Sequence, residues 1–179
     1  MIDLETEDNS MRAPRVAKVV VNITTGRSGE VLEKASTILK DLTSQQPCQR
    51  RAKRTLRAFG IRKGEPIAVL VTLRGGKADE FLRRALSAVS GRIRERSFDD
   101  HGNVAFGIRE HIDIPGTRYD PVLGIFGMNV DINIERPGYR VSRRRKRSSQ
   151  VGGSHMLTKG EAIDFVRGKF GAEVVSGVE

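Results

Sequence analysis

The side chains that could carry out catalysis are few and scattered along this sequence of 179 residues. Residues 99–101 place two aspartates beside a histidine, which suggests an acid–base pair, but adjacent polar residues next to a glycine are ordinary in turns. His111 and His155 lie far from them, and no metalloprotease helix or phosphate-binding glycine loop is present. Cys48 is the only cysteine, so it cannot form an internal disulfide and cannot form a cysteine-rich zinc site. We therefore expect no enzymatic activity, no metal and no cofactor.

Positive charge is the chemical feature that the sequence does concentrate. The formal net charge is +10, from 32 basic and 22 acidic residues. Residues 42–64 contain seven basic side chains and no acidic one, and residues 136–160 contain eight and again no acidic one. The other 131 residues hold 17 basic and 22 acidic side chains, a net charge of −5. Charge confined to two tracts in this way indicates a polyanionic partner.

The two basic tracts differ in their surroundings. The first is interleaved with Leu56, Phe59 and Ile61 between strand-like segments, so we expect an ordered hairpin that directs its arginines at phosphates. The second contains an arginine-rich run at residues 143–147, for which a solvated face or a loose tail is an equally good interpretation. We expect a basic segment at residues 136–157 before the last helix, and a loose acidic arm at residues 1–12.

The spacing of apolar residues predicts the elements that position these side chains. Segments rich in β-branched residues or alternating apolar and polar residues predict strands at 16–23, 49–53, 67–74, 104–112 and 128–135. Helical spacing predicts helices at 30–43, 77–89 and 158–170, the last opened by a capping box of Thr158 and Glu161. Strands in hairpins, with helices that can all lie on one side, predict a single-domain α+β fold over residues 1–179. We expect two layers, a largely antiparallel sheet with the helices packed on one face, and a long basic hairpin.

The first predicted strand has two unlike faces. Val19, Val21 and Ile23 alternate with the polar residues Lys18 and Asn22. Because successive side chains of a strand point to opposite sides, the apolar residues should face the core. The polar residues should face water or a bound polyanion. The segment 128–135 alternates in the same way, so it should also bury only one face.

Three long motifs follow one another in unbroken order from about Pro14 to Tyr139. They are PRVAKVVVN, QPCQRRAKRTLRAFGIRKGEPIAVLVTLRG, and SFDDHGNVAFGIREHIDIPGTRYDP followed by GIFGMNVDINIERPGYRV. In this order they resemble the family of large ribosomal subunit protein five. The ending RPGYRV, with the arginine run and a final helix, resembles the archaeal and eukaryotic form of the family rather than the bacterial one.

The resemblance implies a structural constituent of the large subunit of the cytoplasmic ribosome. It implies binding of 5S ribosomal RNA (5S rRNA), its attachment in the central protuberance, and contacts with 23S-type rRNA and the P-site tRNA. It also implies a bridge to a small-subunit protein and contacts with other central-protuberance ribosomal proteins. No stretch approaches the roughly 18 consecutive apolar residues of a membrane span, so we expect no membrane association.

The resemblance also assigns roles to individual residues. For Asn22, Gln45 and Thr72, the ordinary alternatives are a strand-ending turn residue, a polar helix end and a strand-favouring side chain. The residues expected to bind 5S rRNA are Asn22, Gln45, Arg51, Lys53, Thr72 and Arg74. Those expected on a hairpin that faces tRNA are Arg54, Arg57, Arg62 and Lys63. Those expected to bind other rRNA from a basic tail are Arg140, Arg143, Arg144, Arg145, Lys146 and Arg147.

Two other classes of protein stay open on charge alone. A general nucleic-acid packaging or DNA-binding protein would also be basic, although no helix-turn-helix or basic-zipper pattern supports it. An enzyme that acts on RNA would need the catalytic motifs that the sequence lacks. The chain has no tryptophan, two tyrosines and seven phenylalanines, so we expect little base stacking and a larger role for phosphates and RNA shape.

Overall fold

The computed structural model describes residues 9–176, so most of the predicted N-terminal arm lies outside the described part of the chain. The strands are β1 (Arg15–Thr24), β2 (Cys48–Arg51), β3 (Pro66–Leu73), β4 (Arg92–Arg94), β5 (Asn103–Ile108), β6 (Met128–Glu135) and β7 (Glu173–Val175). The helices are α1 (Glu30–Thr43), α2 (Gly76–Ala88), α3 (Arg140–Arg143) and α4 (Lys159–Phe170). The three longer helices and all five longer strands match segments that the sequence predicts.

Five strands form one sheet in the order β2–β3–β1–β6–β5, and each neighbouring pair is antiparallel. The α+β fold with a largely antiparallel sheet is therefore confirmed. β4 and β7 form a separate parallel pair that the sequence does not predict. Each has only three residues, too few to display the alternation by which a strand is recognised.

The core lies between the sheet and the helices. Val19, Val21 and Ile23 of β1 are almost completely buried, as their alternation predicts, and they share one hydrophobic cluster with Leu39 of α1 and Phe81 of α2. The buried residues of α4 belong to the same cluster. Within residues 9–176, the opposite side of the sheet keeps partly exposed side chains along β1, which fits helices packed on one face.

The connection between β2 and β3 is not the long basic hairpin that the sequence suggested. The two strands pair only over Cys48–Arg51. Beyond them, residues 52–65 form an ordered loop, in which backbone hydrogen bonds join Ala52 to Glu65 and Gly64, and an isolated bridge joins Leu56 to Ile61 near the tip. Gly60 and Gly64 adopt positive φ angles of 69° and 87°. That backbone geometry turns the chain at both positions.

The basic segment after β6 is folded and contains α3. The imidazole Nε2 of His155 lies 2.7 Å from the carbonyl oxygen of Pro137, and the backbone N–H of Leu157 donates to the Tyr139 hydroxyl at 3.2 Å. The capping box predicted for α4 is confirmed, with Thr158 as the N-cap. The predicted strand 104–112 ends earlier, at Ile108, because the chain then turns into a short 3-10 helix, His111–Asp113.

Candidate nucleic-acid interface

The side of the five-stranded sheet that the helices leave uncovered is called the open face here. Strand pairing places Asn22 between Leu70 of β3 and Asn129 of β6. Its side-chain amide donates to the Thr24 hydroxyl at 3.2 Å. The predicted position of Asn22, on the side opposite Val19, Val21 and Ile23, is confirmed. The members of the open face are Lys18, Val20, Asn22, Thr24, Cys48, Arg50, Ala68, Leu70, Thr72, Asn103, Ala105, Gly107, Asn129, Asp131 and Asn133.

Thr72 lies in the next row of the open face. It is opposite Val20, which in turn is opposite Asp131. Asn22 and Thr72, far apart in the sequence, are therefore held on adjacent strands and on the same side of the sheet. This proximity follows from the antiparallel register of β1 and β3, which no local sequence pattern reveals.

The open face is nearly neutral. Its charged members are Lys18, Arg50 and Asp131, and the rest are amides, hydroxyls and small or apolar groups. Amides and hydroxyls both donate and accept hydrogen bonds, so they can meet base edges and ribose 2′-hydroxyls. A surface of this kind suits recognition through hydrogen bonds and shape more than attraction to phosphates.

The other predicted 5S rRNA contacts divide between the two ends of β3. Gln45 follows the left-handed residue Ser44 that ends α1, three positions before β2, and it is half-buried. Because β2 starts opposite Leu70, Gln45 approaches the same end of β3 as Arg74. Arg51 is paired with Pro66 at the other end, about 26 Å from Arg74 at the rise of an extended strand, and Lys53 follows it.

The loop of residues 52–65 exposes all four basic residues that were predicted to face tRNA, namely Arg54, Arg57, Arg62 and Lys63. Its tip is a 3-10 turn, Arg57–Phe59, in which the Phe59 residue is 74% exposed. The sequence interpretation missed the anchor of this loop, which is Glu65. The Ser28 hydroxyl donates to Glu65 Oε1 at 2.5 Å and the Arg62 backbone N–H donates to Oε2 at 3.0 Å. These two hydrogen bonds lower the pKa of Glu65.

The six basic residues predicted as a tail do not all behave alike. Arg143, at the end of α3, forms an ion pair with the buried carboxylate of Glu135. The Arg144 guanidinium donates through Nε to the carbonyl oxygen of Arg147 at 2.6 Å. All six residues are exposed, and Arg147 contributes only its backbone carbonyl to the contact with Arg144. The structure thus gives Arg143 a structural contact, whereas its neighbours are available to a partner.

The chemistry around residues 99–101 is that of a turn. Asp99 Oδ1 accepts the backbone N–H groups of His101 and Asn103 at 2.9 and 2.6 Å. Burial raises the pKa of Asp99, but hydrogen bonds from Asn103 and His101 outweigh that effect and the net pKa is lowered. An ionised carboxylate committed to these bonds is not a general acid.

A different histidine, His111, is the buried one, with only 2% of its surface exposed. Its ring Nδ1 accepts the backbone N–H of Phe126 at 3.3 Å, and its own backbone N–H donates to the Phe126 carbonyl at 3.0 Å. These two hydrogen bonds join the residues on either side of the loop of residues 112–125. Burial lowers the pKa of His111, which favours the neutral ring that the first bond requires.

Two kinds of feature are absent from residues 9–176. They contain no group of three or more histidine, cysteine, aspartate or glutamate residues that could hold a metal ion. None of the helices in this range combines the length and hydrophobicity needed to cross a lipid bilayer. The chemical features of the candidate interface are therefore its hydrogen-bonding groups and its charge.

Comparison with known proteins supplies the family. Residues 9–62 match the family described as "Ribosomal protein L5", and residues 66–165 match the model of the C-terminus of the same ribosomal family. The chain belongs to the ribosomal protein L5 family. The two family matches meet in the loop between β2 and β3, so the ribosomal L5 match includes both flanks of the open face.

Curated relatives of this ribosomal L5 chain carry the name large ribosomal subunit protein uL5. The protein of Aeropyrum pernix is 54% identical over 172 residues, covering 96% of this chain and 90% of that protein. The protein of Pyrobaculum aerophilum is 55% identical over 159 residues, covering 89% of each chain. The protein of Methanococcoides burtonii is 49% identical over 166 residues, covering 93% of this chain and 98% of that protein.

Membership in the ribosomal protein L5 family confirms several expectations from the sequence. The chain has a structural role in the large ribosomal subunit, is a component of a ribonucleoprotein, and is located in the cytoplasmic ribosome. The relatives are archaeal, in agreement with the archaeal or eukaryotic type that the RPGYRV motif suggested.

Proposed function

We propose that this ribosomal L5 chain binds 5S rRNA on the open face and helps to attach it in the central protuberance of the large subunit. The observation that carries the proposal is the arrangement of that face. It presents a sheet-wide array of amides and hydroxyls, and it brings Asn22 and Thr72 together on adjacent strands. Folding leaves these polar groups uncovered within residues 9–176, so a partner with many hydrogen-bonding groups can satisfy them.

Two basic surfaces are proposed to serve other RNA partners. We assign the loop of residues 52–65 to the phosphate backbone of P-site tRNA, because Arg54, Arg57, Arg62 and Lys63 are exposed on an ordered support. We assign the exposed part of the basic segment, around Arg140, Arg145 and Lys146, to 23S-type rRNA. Phosphate contacts need positive charge but no base identity, which fits the composition of both surfaces.

A separate surface suits protein partners. The loop of residues 112–125 exposes Tyr119, Val122 and Ile125, which are 56%, 72% and 51% accessible. Apolar groups gathered in one exposed loop are typical of protein–protein contacts. We assign this loop to neighbouring ribosomal proteins, either in the central protuberance or across the bridge to the small subunit.

Binding of the purified chain to three nucleic acids tests the central proposal. At about 0.2 M salt we expect a clear preference for 5S rRNA over tRNA and over duplex DNA of equal length, because counterion release weakens non-specific binding strongly there. Equal affinity for all three would favour a general nucleic-acid-binding protein and would overturn the proposal.

Matched variants test the open face and the loop of residues 52–65 independently. Changing Asn22 and Thr72 together to alanine should weaken 5S rRNA binding about 10- to 30-fold, since each removes roughly one hydrogen bond. Changing Arg57, Arg62 and Lys63 to alanine should leave 5S rRNA binding nearly intact and should weaken retention of tRNA on ribosomes. Glu80→Ala, on the exposed side of α2, is the control and should change neither. A large loss of 5S rRNA binding in the loop variant would contradict this assignment.

A further inference from the structure

One end of the open face forms a depression whose polar groups have a fixed orientation. It lies over β1, β5 and β6, next to the turn at residues 99–102. Its walls include two amides, the carboxylates of Asp99 and Asp131, and small apolar groups. The side chains that matter to the argument are Lys18, Val20, Asn103, Ala105, Asp131 and Asn133.

A chain of hydrogen bonds fixes both amides in the depression. Asp99 Oδ2 accepts the side-chain N–H of Asn103 at 2.5 Å. Asn103 must then present its oxygen to the next residue, and Oδ1 accepts the side-chain N–H of Asn133 at 2.6 Å. Because the side-chain nitrogen of Asn133 faces Asn103 in this bond, the side-chain oxygen of Asn133 points away from Asn103. Because Asp99 is anchored by two backbone N–H groups, the direction of the whole chain is set by the fold.

The end of this chain is an unused acceptor. Asn133 Oδ1 is buried and has no hydrogen-bond partner among residues 9–176. A buried acceptor that accepts no hydrogen bond has lost its hydration without compensation. Such an atom therefore favours binding of a ligand that has a hydrogen-bond donor.

Asp131 supplies a second acceptor group on the same side of β6. It lies two positions before Asn133, about 7 Å along the strand, and strand pairing places it between Ala105 and Val20. Among the described residues, no basic group forms an ion pair with it. Asp131 is exposed, and partial desolvation of its carboxylate raises its pKa. Lys18, opposite Asn133, is the cation of the depression and can meet a nearby phosphate.

A carboxylate beside an amide oxygen is complementary to a flat group with neighbouring N–H donors. Guanine has such a set, since N1–H and the N2 amino group lie side by side on its Watson–Crick edge. The corresponding edges of adenine, cytosine and uracil each place an acceptor next to the donor, and a carboxylate repels that acceptor. Unpaired bases of RNA are read on this edge when they leave the helical stack.

We propose that this depression binds the Watson–Crick edge of one unpaired guanine in the RNA held on the open face. The Asp131 carboxylate accepts N1–H and one N2–H, and Asn133 Oδ1 accepts the other N2–H. Val20 and Ala105 flank Asp131 on the neighbouring strands and provide apolar surface beside the base. The inference rests on the proposed function, because the guanine belongs to the bound 5S rRNA.

Interference mapping with the full chain tests the inference. The probe is 5S rRNA transcribed with occasional inosine in place of guanosine, which removes only the N2 amino group. We expect inosine at one unpaired position to reduce binding of the unmodified protein. Asp131→Asn should weaken binding of ordinary 5S rRNA about 10- to 100-fold and should abolish the interference at that position. Asp164→Asn, an exposed carboxylate on α4, is the matched control and should change neither.

The possible outcomes distinguish the two proposals. If the unmodified protein shows no preference for 5S rRNA, the proposed function fails and this inference fails with it. If 5S rRNA binds tightly but inosine interferes nowhere, or interferes equally with Asp131→Asn, only the guanine site is overturned. Because asparagine has nearly the shape of aspartate, a thermal melt within a few degrees of the unmodified protein shows that the variant is folded. Asn133→Ala should reproduce the loss of interference and provides a second test if Asp131→Asn does not fold.

Discussion

Arg143 and Glu135 form an ion pair that fixes the basic segment to the end of the central sheet. Glu135 occupies the last position of β6, where strict alternation would place it with the polar side chains of the strand. Its side chain is nevertheless only 7% exposed. The short helix α3 brings Arg143 back to it, eight residues later in the sequence. A residue of the arginine run therefore compensates a buried charge.

Removing Arg143 should destabilise the fold. Arg143→Ala leaves the buried carboxylate of Glu135 without its cation, and loss of one partner of a buried pair is costly. Because the Arg143 side chain is itself 54% exposed, we expect a loss of only about 1–2 kcal/mol in the free energy of unfolding. Urea denaturation measures it. Arg145→Ala, in the same exposed run, is the control and should stay within about 0.5 kcal/mol of the unmodified protein.

A close packing contact at Gly102 should make this glycine irreplaceable. Its φ angle is +80°, and an added Cβ would lie 2.7 Å from Leu157 Cδ2 and 3.0 Å from the carbonyl oxygen of Ile134. Gly116 has a similar φ angle of +86° with nothing within 4 Å. Gly116→Ala should cost about 1 kcal/mol from backbone strain alone, and Gly102→Ala at least about 2 kcal/mol more from overpacking. Equal losses in thermal or urea unfolding would contradict the contact.

The neutral ring of His111 should make stability depend on pH. Its pKa in the folded protein is lowered, so the unfolded chain, with a pKa near the ordinary 6.5, binds more protons between the two values. The contribution is therefore fully present above about pH 6.5 and is lost as the pH falls towards the folded pKa. Urea denaturation at several pH values measures this slope. In His111→Asn the side-chain oxygen can still accept the Phe126 N–H, and this part of the slope should disappear; an unchanged slope would point to other groups.

The capping box of α4 should contribute measurably to stability. The backbone N–H of Glu161 donates to the Thr158 hydroxyl at 3.5 Å, and the Glu161 carboxylate accepts the Thr158 N–H at 3.0 Å. Thr158→Ala removes one of these bonds and should cost about 1 kcal/mol. Thr158→Ser keeps the hydroxyl and should cost less than half as much in the same unfolding experiment. Equal losses would show that the methyl group of Thr158, and not its hydroxyl, is what stabilises the helix.

Local patterns in the sequence predicted much of this molecule. The span of α1 was predicted to the residue, and the alternation around Asn22 placed that side chain on the correct side of β1. These predictions succeeded because helix and strand periodicity, and capping chemistry, are properties of neighbouring residues. The concentration of positive charge in two tracts was equally visible in the sequence, and by itself it indicated a polyanionic partner.

Other features could not be read from neighbouring residues. Gly60 and Gly64 of the loop between β2 and β3 were visible, but their positive φ angles, and the end of regular strand pairing at Arg51, were not. The pairing of β4 with β7 joins segments about 80 residues apart, and each is too short to have a recognisable pattern. The buried position of His111 depends on Phe126 across a loop.

The sequence by itself determined which residues form strands and helices, which side of each strand is apolar, and where the positive charge is concentrated. Only the tertiary structure decided which polar residues become neighbours. Strand register placed Asn22, Thr72 and Asp131 on one uncovered face, and chain reversal at α3 brought Arg143 to Glu135. The physical reason is that periodicity specifies a side of an element, whereas contact between elements depends on the packing of the whole core.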